Sequence, residues 1–94
     1  MDSKLVAKIR RLLRVGKYFA TSHAVDEMEE DGLFDSDVIA AAETMDTLET
    51  QRGDKRGPKQ MFEGRSGDRR VGVVGRITNM GKFKIITVYE IHEE

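Results

Sequence analysis

Residues 59–91 read KQMFEGRSGDRRVGVVGRITNMGKFKIITVYEI, and this stretch decides the fold. Lys59 to Arg65, Arg69 to Thr78 and Lys82 to Ile91 either alternate apolar with polar residues or run apolar, which is the pattern of β-strands. Gly67-Asp68 offers a two-residue turn with glycine first, the type II′ pattern, and Asn79-Met80-Gly81 offers a three-residue turn with glycine at the left-handed position. These turns set a register in which Ser66 lies opposite Arg69, Arg65 opposite Arg70, Phe62 opposite Val73 and Lys59 opposite Arg76. On the next hairpin Ile77 meets Phe83, Arg76 meets Lys84 and Val71 meets Tyr89. One predicted face carries Phe62, Val71, Val73, Ile77, Phe83, Ile85, Thr87, Tyr89 and Ile91 and should lie under helices. The other carries Lys59, Glu63, Arg65, Arg70, Arg76, Lys84, Glu90 and His92, interleaved with Met61, Val74, Ile86 and Val88.

Like charges directly opposite each other destabilise a sheet unless solvent or an anion lies between them. Arg65 against Arg70, and Arg76 between Lys59 and Lys84, raise that question. Either the cationic heads splay into water while their stems cover Val74 and Ile86, or the face binds phosphate.

Working outward, Leu5, Val6, Ile9, Leu12 and Leu13 form one helical stripe within residues 4–15, with Ser3 as a cap and Gly16 as the stop. Lys4, Lys8, Arg10, Arg11 and Arg14 cover the other side. So wide a stripe must be covered, by the chain's own domain or by a second copy in a homodimer. Its cations are expected to meet the anions of Asp26 to Asp37. Tyr18 to Thr21 reads as an edge strand. Ser22 then caps a helix from His23 to Asp31, with Ala24, Val25 and Met28 facing inward and Gly32 ending it, so that Leu33 meets Met28. Asp35 or Ser36 caps a third helix with Val38, Ile39, Ala42 and Met45 inside, and Thr47 to Gln51 is a plausible further strand. Residues 52–58, with two glycines and the only proline, form a polar loop.

The whole chain, 94 residues, suits a single domain with one small core. With no cysteine it has no disulfide, thiolate metal site or cysteine nucleophile. No apolar run is long enough to cross a membrane, and the N-terminus, charged from Asp2, lacks the apolar segment of a secretory signal, so a cytoplasmic location is expected. The formal net charge of −1 conceals a division: residues 1–50 carry 6 cations and 11 anions, residues 51–94 carry 10 cations and 6 anions. Asp26 to Glu49 holds ten anions and no cation. A globally basic nucleic-acid-binding protein is excluded, while a local basic surface is not.

The candidate catalytic groups are few. His23 and His92, the only histidines, have no metal-binding spacing, so no metal or cofactor is expected. His23, at a helix start, is the better candidate for a general base. RNA cleavage needs little else, because the 2′-hydroxyl is itself the nucleophile. The protein must supply a base, an acid, and cations for the charge that develops on the phosphorus oxygens.

Thr21-Ser22-His23-Ala24, Met28, Gly32-Leu33 and Asp37-Val38, together with Arg70-Val71-Gly72-Val73-Val74 and Ile85-Ile86-Thr87-Val88-Tyr89, resemble the family known as domain of unknown function 4258 over roughly residues 18–91. That family is similar to the compact toxins typified by RelE, ParE and BrnT. The resemblance implies a small antiparallel sheet with helices on one face, an mRNA-cleaving activity, and a small antitoxin protein as partner.

The resulting expectation is an α+β domain: a basic amphipathic helix over 1–17, then a toxin-like β-α-α-β-β-β unit over 18–92. The expected activity is that of a metal-independent ribonuclease toxin. His23 serves as base or acid with His92 and Tyr89 as further candidates, the last disfavoured by its place on the core face. Arg65, Arg70, Arg76, Lys59 and Lys84 would hold RNA phosphate. The rival is a non-catalytic module that docks an acidic protein through a flat basic sheet face. The two differ in whether a histidine shares a cleft with the arginines.

Overall fold

The computed structural model describes residues 1–92. Its elements are α1 (Ser3–Arg14), β1 (Tyr18–Ala20), α2 (Ser22–Asp31), α3 (Asp35–Glu43), β2 (Thr47–Gln51), β3 (Lys59–Ser66), β4 (Arg69–Ile77) and β5 (Phe83–Ile91). The fold is α+β, with the three helices on one face of a sheet ordered β1-β5-β4-β3-β2. The sheet is mixed rather than antiparallel, because β1 pairs parallel to β5 with Tyr18 beside Phe83 and Ala20 beside Ile85. Thr47–Gln51 pairs with β3 as the opposite edge, so the sheet has five strands, one more than the expected β-α-α-β-β-β order.

The β3–β4 register is the expected one from Ser66↔Arg69 back to Gln60↔Gly75. Gly67 turns the chain at φ +63°, and among the described residues no non-glycine has a positive φ, so Gly67-Asp68 is a type II′ turn. On β5 the expected register holds only for Ile77↔Phe83, Arg76↔Lys84 and Gly75↔Ile85. Val74 then pairs with Thr87, which leaves Ile86 as the extra residue of a β-bulge. Beyond it every side chain changes face. Val88 is buried under the helices, while Thr87, Tyr89 and Ile91, expected in the core, lie on the outer face opposite Val74, Gly72 and Arg70.

The bulge is stabilised from α2. The Thr21 amide donates to the Ile85 carbonyl at 3.0 Å, the Thr21 hydroxyl donates to the Ile86 carbonyl at 3.3 Å, and the Val88 amide donates to Glu27 at 3.2 Å. Backbone groups that a regular ladder would pair are thus satisfied by two side chains and an amide of the incoming segment.

Each helix starts earlier than expected, α1 and α2 by one residue and α3 by one or two. Asp2 caps α1 by accepting the Lys4 and Leu5 amides, and Thr21 caps α2 by accepting the Ala24 amide. Phe34 stands at the N-cap of α3, where its amide donates to the Asp37 carboxylate at 2.7 Å. α1 and α2 end in Schellman turns at Gly16 and Gly32, where the Lys17 and Leu33 amides reach back to the carbonyls of Leu12 and Met28.

The core joins Val6, Ile9, Leu12 and Leu13 of α1 to Ala24 and Met28 of α2, Val38 and Ala41 of α3, and Phe62, Val71, Val73, Phe83, Ile85 and Val88 of the sheet. The α1 stripe is therefore covered within its own domain. Its cations meet the end of α3, not the Asp26–Asp37 stretch: Arg10 donates to the Ala42 carbonyl at 2.7 Å and Arg14 pairs with Glu43 at 2.7 Å. Val25, expected inside, is 41% exposed.

Candidate functional site

The sheet's outer face divides its charge between two ends. Across one end run Lys84 of β5 and Arg76 of β4, directly paired, with Lys59 of β3 on the far side of Arg76. The register forces these cations together, as the sequence implies. The loop of residues 52–58 folds back over them and adds Arg56. From the other direction the bulge staple carries the start of α2 to the same place. Thr21, His23, Arg56, Lys59, Arg76, Lys84 and Ile86 consequently line one cleft of about 200 Å3.

Within this cleft Arg76 is the anchor, its side chain only 6% exposed. Its Nη2 lies 3.1 Å from Asp54 Oδ2, an ion pair whose angle falls short of a hydrogen bond, and neither Nε nor Nη2 has a hydrogen-bond acceptor among the described residues. A buried guanidinium with unmet donors is costly unless an acceptor completes it. Asp54 is shared three ways, being also 3.5 Å from Arg56 Nε and 3.7 Å from Lys59 Nζ. The Arg56 amide, donating at 2.8 Å, holds the Asp54 carboxyl below its ordinary range, and Arg76 adds to that effect. Three cations thus share one carboxylate, with Lys84 lining the same cleft, which leaves positive charge for an incoming anion.

His23 presents an open imidazole, its side chain 69% exposed. Nε2 lies 3.4 Å from Glu27 Oε2, and the other oxygen of Glu27 accepts the Val88 amide. Glu27 therefore stands between the imidazole and β5, the strand that carries Lys84. Thr21, Glu27, Arg56 and Asp54 were not foreseen as parts of this site. Glu27, four residues after His23 on one helix, was the only one with a spacing that could have announced it.

At the other end of the sheet, Arg65, Arg70 and His92 gather beside Asp68, Arg69, Glu90 and Ile91 in a cleft of about 250 Å3. Here the arginines are matched by carboxylates. Arg70 grips Asp46 with both terminal nitrogens, at 2.8 and 2.7 Å, and reaches Glu63 at 3.0 Å. Arg70 holds the Asp46 carboxyl below its usual range, and is itself raised by Asp46 and Glu63. Arg69 pairs with Glu90 and caps the C-terminal carbonyls of α2 at Asp31 and Gly32. Glu90 therefore belongs to the helix side, a consequence of the bulge. Tyr89 lies between the two ends with its ring over Gly72, and burial raises its hydroxyl pKa, with Glu63 adding to the effect. The expected site residues are thus split: His23, Lys59, Arg76 and Lys84 converge, while Arg65, Arg70 and His92 form a separate group and Tyr89 joins neither.

Among the described residues no three His, Cys, Asp or Glu side chains gather as a metal-binding group, and no helix is long and apolar enough to cross a membrane. No curated protein and no solved structure matches the chain. The model of the domain of unknown function DUF4258 matches residues 20–90, from the last residue of β1 to the penultimate residue of β5, and so includes His23, Lys59, Arg76 and Lys84. The chain belongs to the DUF4258 family.

Proposed function

We propose that the protein is a small ribonuclease of the toxin type that cleaves single-stranded RNA in the His23–Arg76 cleft. The observation that supports this reading is the convergence of an exposed histidine, beside Glu27, with four cations, one of them a buried arginine whose Nε and Nη2 have no hydrogen-bond acceptor among the described residues. An RNA phosphate bridging Arg76, Lys59 and Lys84 would satisfy the unmet guanidinium donors. His23 would then take the proton of the 2′-hydroxyl as its oxygen attacks phosphorus. The bond to the 5′-oxygen breaks, and that oxygen takes a proton from water or from a lysine ammonium, leaving a 2′,3′-cyclic phosphate and a 5′-hydroxyl. The cations stabilise the extra charge on the phosphorus oxygens at the transition state. The side chains supply every role this route needs, so it proceeds without a metal. The sequence resemblance to compact toxins points the same way, and would add a small antitoxin protein as partner in the cytoplasm. The rival reading, a module docking an acidic protein, asks only for a flat basic patch; the cations here line a recess that holds a histidine.

The test is the salt dependence of RNA binding. A single-stranded oligoribonucleotide should bind with a log K against log salt slope that falls by about 0.7 for each phosphate contact removed. Lys84→Ala and Arg76→Ala are expected to lower both affinity and slope, whereas Lys8→Ala, which removes an equal charge on α1, should leave both unchanged. Equal effects from Lys8→Ala and Lys84→Ala would mean that the cleft does not hold the phosphate.

A further inference from the structure

A wide recess lies on the helix side, away from the cationic cleft and independent of the nuclease reading. It measures about 620 Å3 and runs between α2 and the start of α3. Its floor is Ala20, Met28 and Leu33, its walls are Val25 and Phe34, and Glu29 and Asp35 stand on its rim. No cation lines it.

Two residues here break local rules without gain to the fold. The N-cap position favours side chains that accept a backbone amide, and aromatic residues favour burial. Phe34 occupies the N-cap of α3, cannot cap it, and is 70% exposed. Val25 is 41% exposed on a helix otherwise polar outside. Such conflicts between local preference and overall structure mark functional positions.

Charge selects the occupant. The groove itself is lined by Glu29 and Asp35, and the exposed surface of α2 outside it adds Asp26, Glu30 and Asp31. A second copy offering the same groove would set acid against acid, and an anionic membrane would be repelled. The cationic helix of another copy has already buried its apolar stripe in its own core. The molecule also shows which chemistry fits this helix pair: on the far end of α3, a basic amphipathic helix is already docked through buried leucines and the Arg14–Glu43 pair. We propose that the α2–α3 groove binds a cationic amphipathic segment of a different protein, its apolar side chains packing between Val25 and Phe34 and its lysines or arginines facing Glu29 and Asp35.

Two synthetic helical peptides with one leucine stripe, the first with lysines and the second with glutamates on the polar face, are titrated into isotope-labelled protein. The lysine peptide should shift the amides of Val25, Met28 and Gly32 to Ser36, and Phe34→Ala should weaken it about tenfold or more. Glu29→Lys should weaken the lysine peptide and admit the glutamate peptide. Phe34 is exposed, so its replacement leaves the fold intact, which a thermal melt verifies. Failure of the lysine peptide to bind, or binding that ignores Phe34→Ala, overturns the proposal. So does self-association or adsorption to anionic phosphatidylglycerol vesicles that Phe34→Ala abolishes, since either would assign the groove another occupant.

Discussion

Gly64 and Gly72 stand on neighbouring strands and face opposite sides of the sheet. A Cβ on Gly64 would fall on the backbone carbonyl of Ala41, so α3 sits directly on β3 there. A Cβ on Gly72 would meet only the ring of Tyr89, a half-exposed side chain free to swing outward. Gly64→Ala should therefore cost about 1–3 kcal/mol, as overpacking against backbone does, and Gly72→Ala distinctly less. Urea denaturation of the two variants tests this, and equal losses would contradict the asymmetry. The same scale shows where the sequence could be read and where it could not. His23, Arg76, Lys59 and Lys84 were legible as candidates because residue type and hairpin register are local matters. That Arg70 is engaged by Asp46 and Glu63 was not, since Asp46 arrives from the α3–β2 connection, 24 residues away in sequence.

Among elements, α1 and β5 depend most on distant partners. Ile9 and Leu12 of α1 are buried against the domain itself. Leu12→Ala should cost about 2–5 kcal/mol, whereas the exposed Arg11 should tolerate reversal to Glu; size-exclusion of the leucine variant should show unfolding and not a change of assembly. A parent-like melt for Leu12→Ala would make the helix a loose arm. In β5 the bulge at Ile86 depends on α2. Glu27→Ala would strip the Val88 amide of its acceptor, costing about 1–3 kcal/mol, and the amide of Val88 should exchange its hydrogen faster. Unchanged exchange would mean that Glu27 does not support the bulge. The two hairpins were legible because glycine turns and alternation encode them. The bulge was not, because nothing in Ile85-Ile86-Thr87 announces an extra residue; its cause is Thr21 and Glu27, some 60 positions earlier. The parallel pairing of β1 was equally hidden, since parallel partners are not joined by a readable turn.

For the molecule as a whole, carboxylates tie its parts together: Asp46 joins the α3–β2 connection to β4, Asp37 joins α3 to Ser66, and Glu90 joins β5 to Arg69. All three have lowered pKa values, Asp46 through Arg70, Asp37 through Ser66 and Glu90 through Arg69. A carboxylate lowered on folding stabilises above its unfolded pKa, near 4, and that stabilisation is lost as pH falls through the folded value. Stability should accordingly be level near neutrality and decline below about pH 4, and Asp46→Asn should make that decline shallower. An identical acid limb in the variant would remove Asp46 from this role.

The surface divides into a cationic cleft on the sheet side and an acidic apolar groove on the helix side, and the proposed cleavage in the cleft runs through the 2′-hydroxyl of the RNA itself. The most direct measurement is mass spectrometry of the products from a single-stranded RNA and from the DNA of the same sequence. The account predicts that only the RNA is cut, that its fragments end in 2′,3′-cyclic phosphate, and that His23→Ala slows cutting about 100-fold or more. Cleavage of the DNA, RNA fragments bearing a 5′-phosphate, no cleavage of the RNA, or undiminished cutting by His23→Ala would contradict it.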